Sequence, residues 1–519
     1  MVSETIRRPM VEVDRDPQLG LFGDRPYERP QPATPAPKAP VLFLDPDPEE
    51  IRIGATPLRE HLRAAGVRDA TVVREVMRGL DFGAFEARYR SGGRPAFAPA
   101  SVTGIIVYGL MHGVNSLRDM ERFARLDLGC MWVSGGNMPD HSVLGRFINR
   151  HEVELSTLLF EQVVQAVLAK TNSSTRSVAG DGTVIEAMSS RYGILKREAA
   201  AERLAALPED ASAERERLET MLETLDERRA ANGGRGHTAL NPDEPDASLL
   251  RLKNSPARRA GYVPTVLAND ARVVIDAEVG SSHELAPMQA LLERQADAVD
   301  EVLLDAGFRA ESVLDLAVER DINVLMPATG GEGTGRPPKH FPQSAFRYDA
   351  QADVYHCPAG QVLKRQARYR KQHRLRYASR ACFTCPLRDQ CTKQKRRVIE
   401  RTRATELRDG LAEVMAQPQA RRRYARRKGM VEPVFSHLRG QQGLNRFRRR
   451  GLAKTRLEFR LHIMAYNLSR AVAAARSSLT SAVQRVMRAL STIWRCPDRV
   501  FDAIGPTRPA LNFTPAGAP

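Results

Sequence analysis

The chain has 519 residues, enough for roughly two to four domains that each bury a core. Its 79 Lys+Arg against 62 Asp+Glu leave a formal charge of +17, which points to a polyanionic partner because basic side chains neutralise phosphates and release their counterions. A membrane span is excluded by the lack of any apolar run near ~20 residues, a secretory signal by the lack of an apolar core near the N-terminus, and a disulfide scaffold by a count of only six cysteines. The expectation is a cytoplasmic protein that faces nucleic acid and no membrane.

Residues 1–54 begin with a Pro-rich stretch ending in QPATPAPKAP, and this arm is expected to be disordered. From 55 to 173 the apolar residues recur at i, i+3 and i+4 in REHLRAAG, TVVREVMRGL, SVTGIIVYGLMHG, SLRDMERFARLD and SVLGRFINRHEVELSTLLFEQVVQAVLAK, predicting a separate all-helical module. Within it, Pro139-Asp140-His141-Ser142 reads as a turn feeding a capped helix.

The period then changes. SVAGDGTVIEAMSS reads as a strand interrupted at Gly180-Asp181-Gly182, and GYVPTVLA and RVVIDAEV flank Asn269-Asp270 as a hairpin. A helix (ELAPMQALLERQADAV), a buried strand (VDEVLLDAG), a helix (AESVLDLAVERD) and a strand (INVLMP) follow, the order of a parallel βαβ unit. Residues 194–253 interrupt this core with charges of alternating sign on a helical period, broken at Pro208. They read as a solvated helical hairpin or as an insert that spans DNA. After the linker GGEGTGRPPKHFP comes a Cys-rich region within 335–400, then a basic helical segment over 404–475 and a tail from 476 to 519. The fold class is therefore α+β: a helical N-terminal domain, and a mixed-sheet core over 174–475 that carries a helical insert and a Cys-rich insert.

The positive charge is localised. Residues 421–460 hold 14 Lys/Arg against Glu432 and Glu458, so this window carries +12 of the +17. Three acids stand out around it: Asp181 at the strand kink, Asp305 at the end of Val302-Leu303-Leu304, and Glu432 on the helix MVEPVFSHLRG. Moving a phosphodiester between oxygens calls for two divalent ions roughly 3.5–4 Å apart, and Mg²⁺ keeps several waters, so two or three carboxylates from rigid elements suffice. Taken alone, an Asp at a strand end is more often a turn or helix cap than a ligand, and the Glu amid the cations reads also as an ion-pair partner. The joint order, strand-Asp, strand-Asp, then Glu in a basic helix, is what singles them out.

With these residues the chain resembles DDE transposases of bacterial insertion sequences, closest to insertion-sequence family 1182, over about residues 55 to 470. The N-terminal part of the resemblance lies in Gly93-Arg94-Pro95, Tyr108-Gly109, Ser116-Leu117-Arg118 and Pro139-Asp140-His141-Ser142 with Arg146-Phe147. The core part lies in Asp181-Gly182-Thr183, Gly261-Tyr262, Asp305-Ala306-Gly307-Phe308 and Glu432-Pro433-Val434-Phe435. It continues through Gly443-Leu444, Arg446-Phe447-Arg448, Arg450-Gly451-Leu452 and Asn467-Leu468. The resemblance implies an RNase H-like catalytic core in which Asp181, Asp305 and Glu432 bind two Mg²⁺ (or Mn²⁺) ions. It implies double-stranded DNA as partner, both element ends and target, and a homodimer on that DNA. Cleavage at the element end frees a 3′-OH, which then attacks the target. The related group also carries a Tyr-x2-Arg-x3-Glu-x6-Lys/Arg pattern. Arg439 satisfies its last spacing, but Lys428 stands where the Arg is expected and Ala425 where the Tyr is, with Tyr424 one residue early. Arg427, Lys428, Arg439, Arg446 and Arg448 are the residues expected on DNA.

Two other enzyme readings compete. The Asp-Gly-Thr-Val stretch also occurs in haloacid-dehalogenase-type phosphatases, but the nucleophile's position two residues earlier is Ala179, which cannot form an aspartyl phosphate. A nuclease that cuts without joining uses the same residues and stays open, as does a non-catalytic DNA-binding descendant of a transposase. Finally, Cys357, Cys382, Cys385 and Cys391 offer four soft ligands for one structural Zn²⁺, with His356 and His373 in reserve; reduced, unliganded thiols are the other reading.

Overall fold

The computed structural model describes residues 41–92, 94–231, 238–252, 257–327, 340–366 and 374–494. Most of the N-terminal arm, most of the Gly/Pro linker, His373 and the end of the tail with Cys496 lie outside the described residues.

Helices form where the 3.6-residue period places them: α1 (Leu58–Ala64), α2 (Asp69–Arg78), α3 (Pro99–Met111), α4 (Leu117–Leu126), α5 (Leu128–Ser134), α6 (His141–Arg150) and α7 (Leu158–Thr171). Their caps match the residue chemistry. Asp140 accepts from Val143 N at 2.8 Å to start α6, and Ser116 and Asp127 do the same for α4 and α5.

The central sheet contains β1 (Ser177–Gly182), the short β2 (Ile185–Glu186) and β3 (Ser248–Arg251), β4 (Arg258–Asn269), β5 (Val274–Gly280), β6 (Glu301–Leu303) and β7 (Asn323–Leu325). Its order is β5-β4-β1-β6-β7, with β2 and β3 also paired to β4. The hairpin β4–β5 is antiparallel, and β1, β6 and β7 run parallel. Between β5 and β6 lies α10 (Leu285–Arg294) and between β6 and β7 lies α11 (Glu311–Glu319), completing the βαβ unit. One boundary differs from the sequence expectation: β1 runs through Gly182, with Asp181 paired to Val266, and the break falls at Thr183-Val184.

The helical insert consists of α8 (Arg197–Ala205) and α9 (Ser212–Ala231), broken around Pro208. Ala200, Leu218, Met221, Leu225 and Leu240 give it a small core of its own, and Arg197–Asp226 and Arg217–Asp243 pairs at 2.7 Å decorate it. The Cys-rich insert is an antiparallel meander, β8 (Arg347–Asp349), β9 (Val354–His356), β10 (Val362–Arg365), β11 (Leu375–Ala378) and β12 (Val398–Arg401), around Phe346, Tyr355, Leu363, Tyr377 and Ile399.

The basic segment folds as α12 (Arg403–Ala416), α13 (Pro418–Ala425), α14 (Arg427–Gly440) and α15 (Leu452–Trp494), so the last helix runs well past residue 475. It packs on α7, α3 and β5 at once. As a result the N-terminal helices, read from the sequence as a separate module, share one continuous hydrophobic core with the sheet, from Leu58 to Val472. Among the described residues no helix is long and apolar enough to cross a membrane.

Candidate active site

Asp181 and Asp305 come from neighbouring parallel strands. β6 pairs with β1 through Leu303 and Ala179, so the two carboxylates emerge at the same end of the sheet. Asp305 also caps the turn after β6, accepting from Gly307 N at 2.8 Å, so the bland reading of an Asp at a strand end applies to it as well. The two acids share one cation. Arg427 Nη2 lies 3.0 Å from Asp181 Oδ1 and 3.6 Å from Asp305 Oδ2, and it also donates to Gly180 O at 3.1 Å.

One guanidinium does not neutralise this corner. Burial pushes the Asp181 carboxyl above its ordinary range, Arg427 pulls it back, and Asp305 pushes it up again. A third carboxylate, Glu284, is raised to about 7, first by burial and then by Asp305 and Asp181. Polar atoms are also left over: Arg427 Nε and Thr265 Oγ1 are buried without a hydrogen-bond partner.

Glu432 stands apart from this cluster. It is exposed on α14, and its carboxylate has no hydrogen bond or ion pair with another described residue; its backbone carbonyl is engaged by Ser436 Oγ at 3.2 Å. By helical period it lies on nearly the same face as Arg439, seven residues on, and Arg439 reaches the break just past β1 through Thr183 Oγ1 and Val184 O. The structure thus joins two of the three expected acids and leaves the third beside them on the helix that covers β1.

The basic residues expected on DNA divide into two groups. Lys428 and Arg448 are exposed. Arg427 is not: its 6% exposure and its two carboxylate partners make it an internal counter-ion. Arg446 donates from Nε to Ala187 O at 3.1 Å and from Nη2 to Ser189 O, which spends its guanidinium on the backbone beyond β2. Arg439 is likewise committed to Thr183 and Val184. Tyr424, one residue early in the pattern, is half-buried and feels Arg427, Asp305 and Asp181. Because α13 ends at Ala425 and α14 begins at Arg427, Tyr424 and Arg427 both turn toward the aspartates.

The basic loop between α14 and α15 is held by a backbone bond to β2 and by the carboxylates of Glu244, Asp246 and Glu458. Phe447 N donates to Glu186 O at 2.9 Å, Gly451 N to Glu244 at 2.7 Å, and Leu452 N to Asp246 at 2.8 Å. Glu458 accepts from Arg448 N and Arg449 N at 2.9 Å. Burial pushes Glu458 up to about 7, against the pull of those amides. A carboxyl raised from 4.5 to about 7 on folding favours the folded state fully below 4.5, and that advantage disappears as pH rises through 7. Glu458→Gln is therefore expected to flatten the loss of stability between about pH 5 and about pH 8, read from urea unfolding at both. An unchanged slope would show that Glu458 does not titrate in this window.

The four insert cysteines are free thiols lining one cavity of about 20 Å³ together with Phe341, Phe346 and Arg397. Burial raises the Cys391 thiol, Arg397 opposes this, and Cys382, Cys357 and Cys385 add to it. His356 is turned toward Asp349 at 3.9 Å. Among the described residues no three His, Cys, Asp or Glu side chains already form a metal cage, here or at the aspartates.

The mixed sheet thus presents two aspartates from adjacent parallel strands, under a helix that lies in the window of +12 charge. Comparison with known families agrees: residues 356–472 match the model of the transposase DDE domain, and residues 63–150 match that of the transposase domain DUF772. The first match includes Glu432 and the cysteines but neither aspartate. No curated protein matches the chain. The two matches support a transposase function, an enzyme that acts on DNA, and the use of divalent metal ions that is general for DDE domains.

Proposed function

We propose that this chain is the transposase of an insertion sequence, of the family 1182 type, with an RNase H-like core that cuts the element ends and joins the freed 3′-OH to target DNA. The observation that carries this reading is the convergence of Asp181 and Asp305 on Arg427 at the ends of β1 and β6. The sheet order, an antiparallel hairpin followed by three parallel strands, supports the RNase H-like assignment, and the two transposase matches support the chemistry.

The residues fit a pair of Mg²⁺ ions. The corner has more negative charge than Arg427 balances and buried polar atoms without partners, and Mg²⁺ needs only one or two protein carboxylates per ion. Asp181, Asp305 and Glu432 would hold the ions, which when bound activate the attacking oxygen and stabilise the leaving one. The chain's own part is to place the strands and the helix so that a phosphodiester lies against the carboxylates, with Arg439 beside it. Lys428 and Arg448 neutralise phosphates further along the duplex. Both element ends must be held at once, which a homodimer would do.

Joining separates this reading from that of a nuclease. Full-length protein incubated with labelled end DNA, a target duplex and Mg²⁺ is expected to yield both nicked ends and joined products. Nicking with no joined product would favour the nuclease reading. Tight binding with neither product would favour a DNA-binding descendant.

A further inference from the structure

We propose that Glu284 is a fourth carboxylate of the same site, a ligand for a divalent ion between β1 and the turn after β6, backed by the Thr265 hydroxyl. This rests on the functional reading above, and it adds a residue that the three-acid expectation omits.

Two glycines locate the Glu284 carboxylate. A Cβ placed on Gly182, next to Asp181, would stand 2.7 Å from Glu284 Oε2 and 3.3 Å from Thr265 Oγ1. A Cβ placed on Gly307 would stand 2.8 Å from Glu284 Oε1 and 2.9 Å from Asp305 Oδ1. One oxygen of Glu284 therefore lies against the end of β1, and the other shares a point with Asp305. A side chain at either glycine would displace the carboxylate from this position, and Arg427 faces the same pair of aspartates from α14.

A structural role for Glu284 would show in its partners. It sits at the start of α10, where an acid can satisfy free N–H groups, yet its side chain caps none. Its carboxylate has no hydrogen bond or ion pair with another described residue, and its backbone carbonyl is engaged by Met288 N at 3.0 Å. Thr265, on β4, is 0% exposed, and its Oγ1 is left without a partner on the side where Glu284 Oε2 lies. A buried hydroxyl left open costs free energy unless something occupies the space between it and the half-buried Glu284 carboxylate. A divalent cation with its waters meets the chemistry of that set, since it takes carboxylate oxygens directly and neutral oxygens through water.

The test uses the full-length chain and Mn²⁺ alone, with free Mn²⁺ read by its paramagnetic resonance signal. Glu284→Gln keeps the shape and removes the charge, and is expected to weaken Mn²⁺ binding by about tenfold or more. Asp181→Asn and Asp305→Asn serve as references. Weakening by the two aspartate changes with no effect of Glu284→Gln would overturn the Glu284 assignment and leave the proposed function standing. No weakening by any of the three, or no Mn²⁺ binding by the unaltered chain, would overturn both. Should Glu284→Gln fail to fold, Fe²⁺ with peroxide on the unaltered chain decides. Backbone cuts are expected near residues 181, 284 and 305; cuts at the aspartates with none near 284 would remove Glu284 from the site.

Discussion

Asp181→Asn and Asp305→Asn are each expected to reduce DNA cleavage by about a thousandfold or more while leaving DNA affinity within a few-fold. Two-ion stabilisation of a phosphoryl transition state is worth several kcal/mol, and each 1.36 kcal/mol is a factor of ten in rate. On the proposed reading DNA affinity would rest on the exposed cations Lys428 and Arg448, which neither change touches. The same assay on Glu432→Gln ranks the third acid. A loss as large as that of the aspartates means that the exposed Glu432 reaches the ions when DNA is present. Retained cleavage would move the third ligand away from α14. Survival of cleavage in Asp181→Asn or Asp305→Asn would sink the site itself.

Asn467→Ala is expected to destabilise the folded chain by about 2–5 kcal/mol. Asn467, on α15, is 0% exposed and grips one residue of β5: Val274 N donates to its Oδ1 at 2.9 Å, and its Nδ2 donates to Val274 O at 2.8 Å. β5 is an edge strand, and its register against β4 shifts between Leu267 and Ala268, so the amide stands in for a missing strand where the ladder is irregular. Removing it leaves two buried backbone groups unpaired. Urea unfolding would measure the change, and a loss below about 0.5 kcal/mol would mean that water replaces the amide. Because α15 also packs against α3 and α7, the N-terminal helices and the sheet are expected to unfold together in wild type.

Periodicity carried most of the element order. Helices α1–α7, the β4–β5 hairpin about Asn269-Asp270 and the unit β6-α11-β7 are local patterns, each written in a few successive residues. The aspartates were legible for the same reason: a polar residue that ends a buried apolar run marks a strand end, and both strand ends lie on one edge once the strands are parallel. The break in the first strand was misplaced by two residues, because the glycines at 180 and 182 read as a turn. Gly180 instead lets Leu304 and Met288 press against β1.

What the sequence alone determined is a basic α+β chain with acids at two parallel strand ends and cations gathered after residue 420; composition and short-range period suffice for that. Tertiary structure decided the rest, because it depends on contacts between distant residues. It joined the N-terminal helices to the sheet through α15. It turned Arg427 inward onto Asp181 and Asp305 from about 250 and 120 residues away. It set Glu284, an unremarked acid ahead of α10, against Gly182 and Gly307. A charge read along the chain is only a count. Whether it meets DNA, neutralises a buried acid or holds an ion depends on which side of a helix faces the sheet, and that is settled by packing.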